Sequence, residues 1–259
     1  MADRSFDDVV RDLTRIVETS RSERSALGMF PAMYRTVTVT VGEGAEAGVF
    51  DDPQRVRRLV AVFADRYVDA YDTHRAGGDA PLAWGLAFEQ ADRGRCSICE
   101  HLLLGMNAHI NLDLGVAAAE VSTADDHGSL RNDFDRVNAV LFALIDALQG
   151  AMGSVSPWMA HLDRFGLGFD EALMRVGIGE ARGQAWEFSQ RLVAADAPSR
   201  PALIADQDVD ARRIGRLLCT RWSPLHVANR MVALRECRDR QQVIDALGAA
   251  RIDVRALLA

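Results

Sequence analysis

The chain has 259 residues, 49% of them hydrophobic and 26% charged, and carries a formal net charge of −7. These fractions exclude a disordered chain, a collagen-like repeat and a disulfide-scaffold peptide. All 30 basic residues are arginine, which removes Schiff-base, P-loop-lysine and lysine-base chemistry. An acidic balance with scattered arginines also argues against a nucleic-acid partner.

Val9, Val10, Leu13, Ile16 and Val17 repeat at helical intervals and predict an amphipathic first helix from Phe6 to Val17. Two patterns compete between Gly28 and Val49. Thr36-Val-Thr-Val-Thr-Val41 alternates like a strand, whereas Met29, Phe30, Met33, Tyr34 and Val37 recur at three and four. With no partner strand elsewhere, the segment is expected to be helical. Asp52-Pro53 supplies N-cap and N1 residues for a helix that passes Tyr67 and stops before Gly77-Gly78. Pro81 opens a helix carrying Trp84 and Phe88 and ending near Gly94. A long apolar helix follows from Cys96 to Val121, broken only by Gly105 and Gly115.

Helical patterns then cover Leu130 to Leu148, Met152 to Arg164, Asp170 to Ala194, Asp208 to Arg221, Pro224 to Arg238 and Arg240 to Gly248. The run from Ala195 to Pro201, with two prolines, reads as a loop. The expected fold is all-α: a single domain over residues 1–259, a helical bundle around a buried polar central helix. No stretch of about 18 apolar residues is readable as a membrane span. The N-terminus lacks the apolar core of a signal peptide. Cytoplasmic location without a membrane partner is therefore expected. The cysteines, Cys96, Cys99, Cys219 and Cys237, are expected to be reduced thiols, because Cys96-x-x-Cys99 lacks the second close ligand pair that a zinc site wants.

The informative stretch is Glu100-His-Leu-Leu-Leu-Gly-Met-Asn-Ala-His-Ile-Asn-Leu-Asp113. An otherwise apolar helix that carries His101, Asn107, His109, Asn111 and Asp113 must find partners for them. At helical spacing His101, Gly105, His109 and Asp113 form one i, i+4 ridge. Gly105 leaves a gap in that ridge for another side chain, an ion or a ligand. His109 and Asp113 have the spacing to ligate one metal from one helix face, and imidazole with carboxylate suits zinc, iron or manganese. Asp133 and Asp135 open the next helix, where acids also serve as caps. A short connection would put that helix start beside Asp113, making Asp133 the best second-helix ligand. Asn138 lies further inside the same helix.

Other polar residues carry weaker signals. His161 and Asp163 diverge on a helix, His74 fits a C-cap, and His127 sits in a turn. His226 follows a helix start without an identifiable partner. Arg182 and Trp186 have the spacing of a cation–π pair. Of Tyr34, Tyr67 and Tyr71, Tyr34 is the best hidden polar handle. Nucleophile-elbow, phosphate-loop and His-Glu-x-x-His motifs are absent from the sequence.

The run Gly105-Met-Asn-Ala-His-Ile-Asn111 resembles the signature of bacterial domain-of-unknown-function family 5995, and the resemblance extends over most of the chain. Met33 to Thr38, Trp84 with Phe88, Asp133 with Asn138, and Arg182 with Ala185-Trp186 look like its other landmarks. The helix is also similar to that of non-haem di-iron thioesterases of diterpenoid antibiotic biosynthesis. That similarity implies a dinuclear centre held by His101, His109, Asp113 and Asp133, with Tyr34 as a further match and iron as the favoured metal. Glu100 stands where glutamine is expected.

Three functions follow as expectations. The first is a metal-dependent hydrolase of small-molecule substrates such as thioesters, in which a metal-bound water attacks an acyl carbon. Asn107, Asn111 and Tyr34 complete its catalytic set by orienting ligands or the developing oxyanion. The second is a di-iron oxidase or oxygenase, for which the Glu-x-x-His pairs are missing. The third is a non-enzymatic helical protein whose His/Asn/Asp network is structural or binds a ligand.

Overall fold

The computed structural model describes residues 4–94, 96–137, 139, 140, 155, 178–219 and 236–250. The principal helices are α1 (Phe6–Ser22), α2 (Met29–Glu46), α3 (Pro53–Arg75), α4 (Leu82–Arg93), α5 (Ile98–Ala108), α6 (Leu114–Glu120), α7 (Ile178–Ala194), α8 (Arg200–Leu218) and α9 (Arg240–Gly248). No strand occurs among the described residues, and the fold is all-α. A π turn over His109–Asp113 joins α5 to α6, so Ile98–Glu120 is one continuous central helix. α2, α4 and α8 pack on its first half, and α3 and α7 on its second.

Local chemistry explains each start. Asp52 accepts from the Arg55 amide and Pro53 stands at the first position of α3. Ser97 and Glu100 form a reciprocal capping box at α5, with Ser97 N–H donating to Glu100 at 2.8 Å and Glu100 N–H to Ser97 Oγ at 3.1 Å. The strand-like Thr-Val alternation is helical, and Thr36, Thr38 and Thr40 each donate a hydroxyl to the carbonyl four residues back. Those bonds let buried threonines sit in a helix without an unpaired hydroxyl.

Three expectations change. α8 begins at Arg200, not Asp208. Pro201 falls in its first turn, where a proline starts a helix instead of breaking one. Asp208 instead caps α4 from across the fold: its carboxylate accepts the Leu82 and Ala83 amides at 2.6 and 2.8 Å, and Pro81 offers α4 no side-chain cap. Gly105 and Gly115 do not break the central helix. They let Phe30 and Phe188 approach its backbone, a Cβ at Gly115 lying 2.7 Å from Phe188 Cδ1. Finally, Ile98–Glu120 is long and apolar enough to cross a membrane by length and composition, although 89% of its most apolar window is buried inside the fold. After Glu120, residues 131–137 are helical. Asn138, His161, Asp163 and His226 lie outside the described residues.

Candidate functional site

The π turn is where the central helix widens, a local irregularity that recurs at functional sites. It sets His109 and Asp113 together, with His109 Nδ1 3.2 Å from Asp113 Oδ2. Trp84 on α4 donates its indole N–H to the same oxygen at 2.8 Å. Arg66 on α3 donates its Nε–H to Oδ1 at 3.0 Å. Asp113 is 1% exposed and is tied to three segments of the fold at once.

The imidazole of His109 lies in an aromatic cage. Phe63 stacks on it with centroids 3.5 Å apart and planes 9° from parallel. Tyr34 meets it edge-on at 4.5 Å, and Phe30 and Trp84 at 5.6 and 5.9 Å. Burial lowers the His109 pKa, and the neighbouring Asp113 only partly opposes that. The neutral ring places its proton on Nδ1, facing the carboxylate, and leaves a lone pair on Nε2. Nε2 finds no hydrogen-bond partner among the described residues. The hydroxyls of Tyr34, Tyr67 and Tyr71 share that condition. These are all three tyrosines of the chain, and their rings follow one another at 6.2 and 6.4 Å. Burial first, then the Asp113 charge, raises the Tyr34 pKa and keeps its hydroxyl a proton donor. A buried polar atom without a partner costs about 1–3 kcal/mol, so the unmet Nε2 beside the Tyr34 ring marks a place suited to meet a polar group.

The structure brings His109, Asp113 and Tyr34 together but separates the other sequence candidates from them. His101 is two turns earlier, about 12 Å along the axis, and Phe30 lies between, over Gly105. The gap in the ridge is filled by that phenyl ring. His101 Nε2 is buried, and burial pushes its pKa down to about 3, with Arg240 adding to the effect. Asp133 accepts the Asp51 and Asp52 amides at 2.7 and 2.8 Å and pairs with Arg136 at 3.2 Å. It holds the start of α3. The helix ends at Glu120, about 10 Å beyond Asp113, so the next helix does not begin beside Asp113. Asn111 donates to Asn107 Oδ1 at 3.0 Å, and Asn107 donates to the Ala211 carbonyl at 2.8 Å. Gln207 donates to the Asn111 carbonyl at 2.7 Å. The two asparagines thus dock α8 and do not face the imidazole.

A second polar cluster escaped the sequence reading. His127, 5% exposed, bridges Ser122 Oγ at 2.7 Å and Ser189 Oγ at 2.9 Å and stacks on Trp186 at 4.4 Å. Nothing local distinguishes a histidine after Asp125-Asp126, and only the Trp186–Ser189 spacing on α7 hinted at a buried polar face. Arg131 lies over the Trp186 ring, 5.1 Å from its centroid. His74 lies in the last turn of α3, where its carbonyl accepts the Gly77 amide at 2.9 Å, and its ring contacts Asp92 on α4 at 2.9 Å.

A dinuclear centre does not fit these side chains. Among the described residues no three of His, Cys, Asp and Glu are placed to hold one ion. Both Asp113 oxygens already accept donors, one of them the Arg66 guanidinium. Both Asp133 oxygens accept backbone amides.

The chain belongs to DUF5995, a family of unknown function, whose family model matches residues 6–221. No curated protein and no solved structure matches it. The similarity to di-iron thioesterases therefore has neither a relative nor a ligand set behind it.

Proposed function

We propose that the protein is a hydrolase of small acyl substrates, such as esters or thioesters, that uses the His109–Asp113 pair as its general base. One observation carries the reading: a neutral, carboxylate-anchored imidazole whose Nε2 lone pair is buried beside a protonated tyrosine. In such a site Nε2 takes a proton from water as that water attacks the acyl carbon. Asp113 then stabilises the imidazolium that forms, and Arg66 and Trp84 fix the carboxylate. The Tyr34 hydroxyl is suited to donate a hydrogen bond to the developing oxyanion. Because His109 is 4% exposed, turnover requires a ring of the cage to swing aside.

The test is hydrolysis of a panel of p-nitrophenyl esters and acyl-coenzyme A thioesters by the wild type and His109→Gln. The expected result is a substrate whose kcat/KM falls at least about 100-fold in the variant at unchanged fold. Equal rates in both proteins across the panel would remove the reading.

A second reading is structural, and the bonding of Asp113 favours it. One carboxylate ties α3, α4 and the central helix, which is what a fold-holding polar network does. It predicts that His109→Gln lowers stability and changes no activity.

A further inference from the structure

We propose that Ser122 is a nucleophile and His127 its general base, forming a second acyl-transfer site that takes small esters. Ser122 follows the end of α6 and lines a cavity of about 570 Å³, enough space for a small ligand. His127 Nδ1 is 2.7 Å from Ser122 Oγ, and its Nε2 is 2.9 Å from Ser189 Oγ on α7. Trp186 stacks on the imidazole with planes 14° from parallel, which fixes the ring. Nucleophile, base and a group that holds the base thus stand in line, an arrangement recognised by geometry and roles rather than by a sequence motif.

The hydrogen-bonded chain ends on a main-chain carbonyl at both sides. Ser189 Oγ donates to the Trp186 carbonyl at 2.6 Å, and Ser122 Oγ reaches the Ala118 carbonyl at 2.6 Å. Each hydroxyl has one proton, so a neutral imidazole permits two arrangements. In the first, Ser122 bonds Ala118 and Nδ1 carries the ring proton. In the second, Ser189 bonds Trp186 and accepts Nε2–H, leaving the Nδ1 lone pair to receive the Ser122 proton. The second is the reactive one. His127 is buried, and burial lowers its pKa and keeps the base neutral.

In the reaction Nδ1 takes the Ser122 proton while Oγ attacks the acyl carbon. The Oγ–C bond forms, the ester C–O bond breaks, and the alcohol leaves with the proton from His127. Water then attacks the acyl-serine as Nδ1 takes its proton; the C–Oγ bond breaks, and that proton restores the Ser122 hydroxyl. Ala61, Val62 and Val121 give the cavity an apolar wall for the acyl chain, and the exposed Arg58 adds a positive group. The inference does not rest on the His109 reading, since the cavity is lined by other residues.

The test incubates the full chain with a fluorophosphonate probe and maps the modified peptide by mass spectrometry. The expected result is an adduct on Ser122, none in Ser122→Ala, and labelling slowed at least about 100-fold in His127→Gln. Heat-denatured wild type should take no probe. p-Nitrophenyl butyrate should leave its acyl group on the same serine, and hydrolysis that persists in His109→Gln but stops in Ser122→Ala belongs to this site. An unlabelled Ser122, an adduct only on another residue, or equal labelling rates in wild type and His127→Gln would each overturn the proposal. If His127→Gln fails to fold, the wild-type peptide map with its denatured control decides alone.

Discussion

Phe30 occupies the space that a side chain at position 105 would need: a Cβ on Gly105 would lie 2.4 Å from Phe30 Cδ2. That single approach divides the polar ridge of the central helix. His101 is left on one side, and His109 with Asp113 on the other. Gly105→Ala must push the ring aside or shift α2, an overpacking cost of about 1–3 kcal/mol. Thermal melts should show a lower melting temperature, partly restored by Phe30→Leu in the same chain. A Gly105→Ala protein as stable as the wild type would contradict this packing.

Asp133 is a backbone acceptor. Removing it in Asp133→Ala leaves the Asp51 and Asp52 amides without their partner, which costs about 2–3 kcal/mol. Urea unfolding measures that loss. Adding zinc, manganese or ferrous iron should leave the wild-type melting temperature unchanged; a metal-dependent rise abolished by Asp133→Ala would restore a ligand role.

His101 makes stability depend on pH. Its folded pKa of about 3 lies below the ordinary 6.5, so the unfolded chain binds the extra proton between those values. Stability from this group is complete above about pH 6.5 and is lost as pH falls toward 3. The full difference is about 5 kcal/mol. Burial depresses His109 and His127 in the same direction. Unfolding free energies from pH 7 to 4 should therefore fall steeply in the wild type and less steeply in His101→Leu. Parallel curves would show that His101 is not buried as the neutral ring.

Trp84 and Arg66 act on one carboxylate and should not act independently. Trp84→Phe keeps the ring and removes the donor to Asp113, a loss of about 1–3 kcal/mol. Arg66→Met removes the second donor. A double-mutant cycle in urea should give a coupling of about 0.5 kcal/mol or more. Strict additivity would show that they do not share Asp113.

The all-α fold was legible because hydrophobic periodicity and caps are local. Val9, Leu13 and Ile16 are buried as their spacing required, and Asp52-Pro53 starts a helix. The π turn was not legible, since the same residues fit a regular α-helix. His109 and Asp113 could be paired from i, i+4 spacing alone. Their partners could not, because Arg66, Trp84 and Phe63 come from other helices and look like ordinary surface and core residues in sequence. The same holds for Asp208, whose carboxylate caps a helix more than a hundred residues earlier. That His101, His109, Asp113 and Asp133 do not converge was hidden for a related reason: spacing shows which side chains share a face, but not that a phenyl ring sits between them.

The most direct test of the central claim is the protonation of the His109 ring, read by nitrogen-15 NMR on selectively labelled protein. The account predicts one neutral tautomer, with the proton on Nδ1 facing Asp113 and Nε2 bare, unchanged from pH 8 to well below 6.5. A proton on Nε2, or titration near the ordinary histidine value, would contradict it.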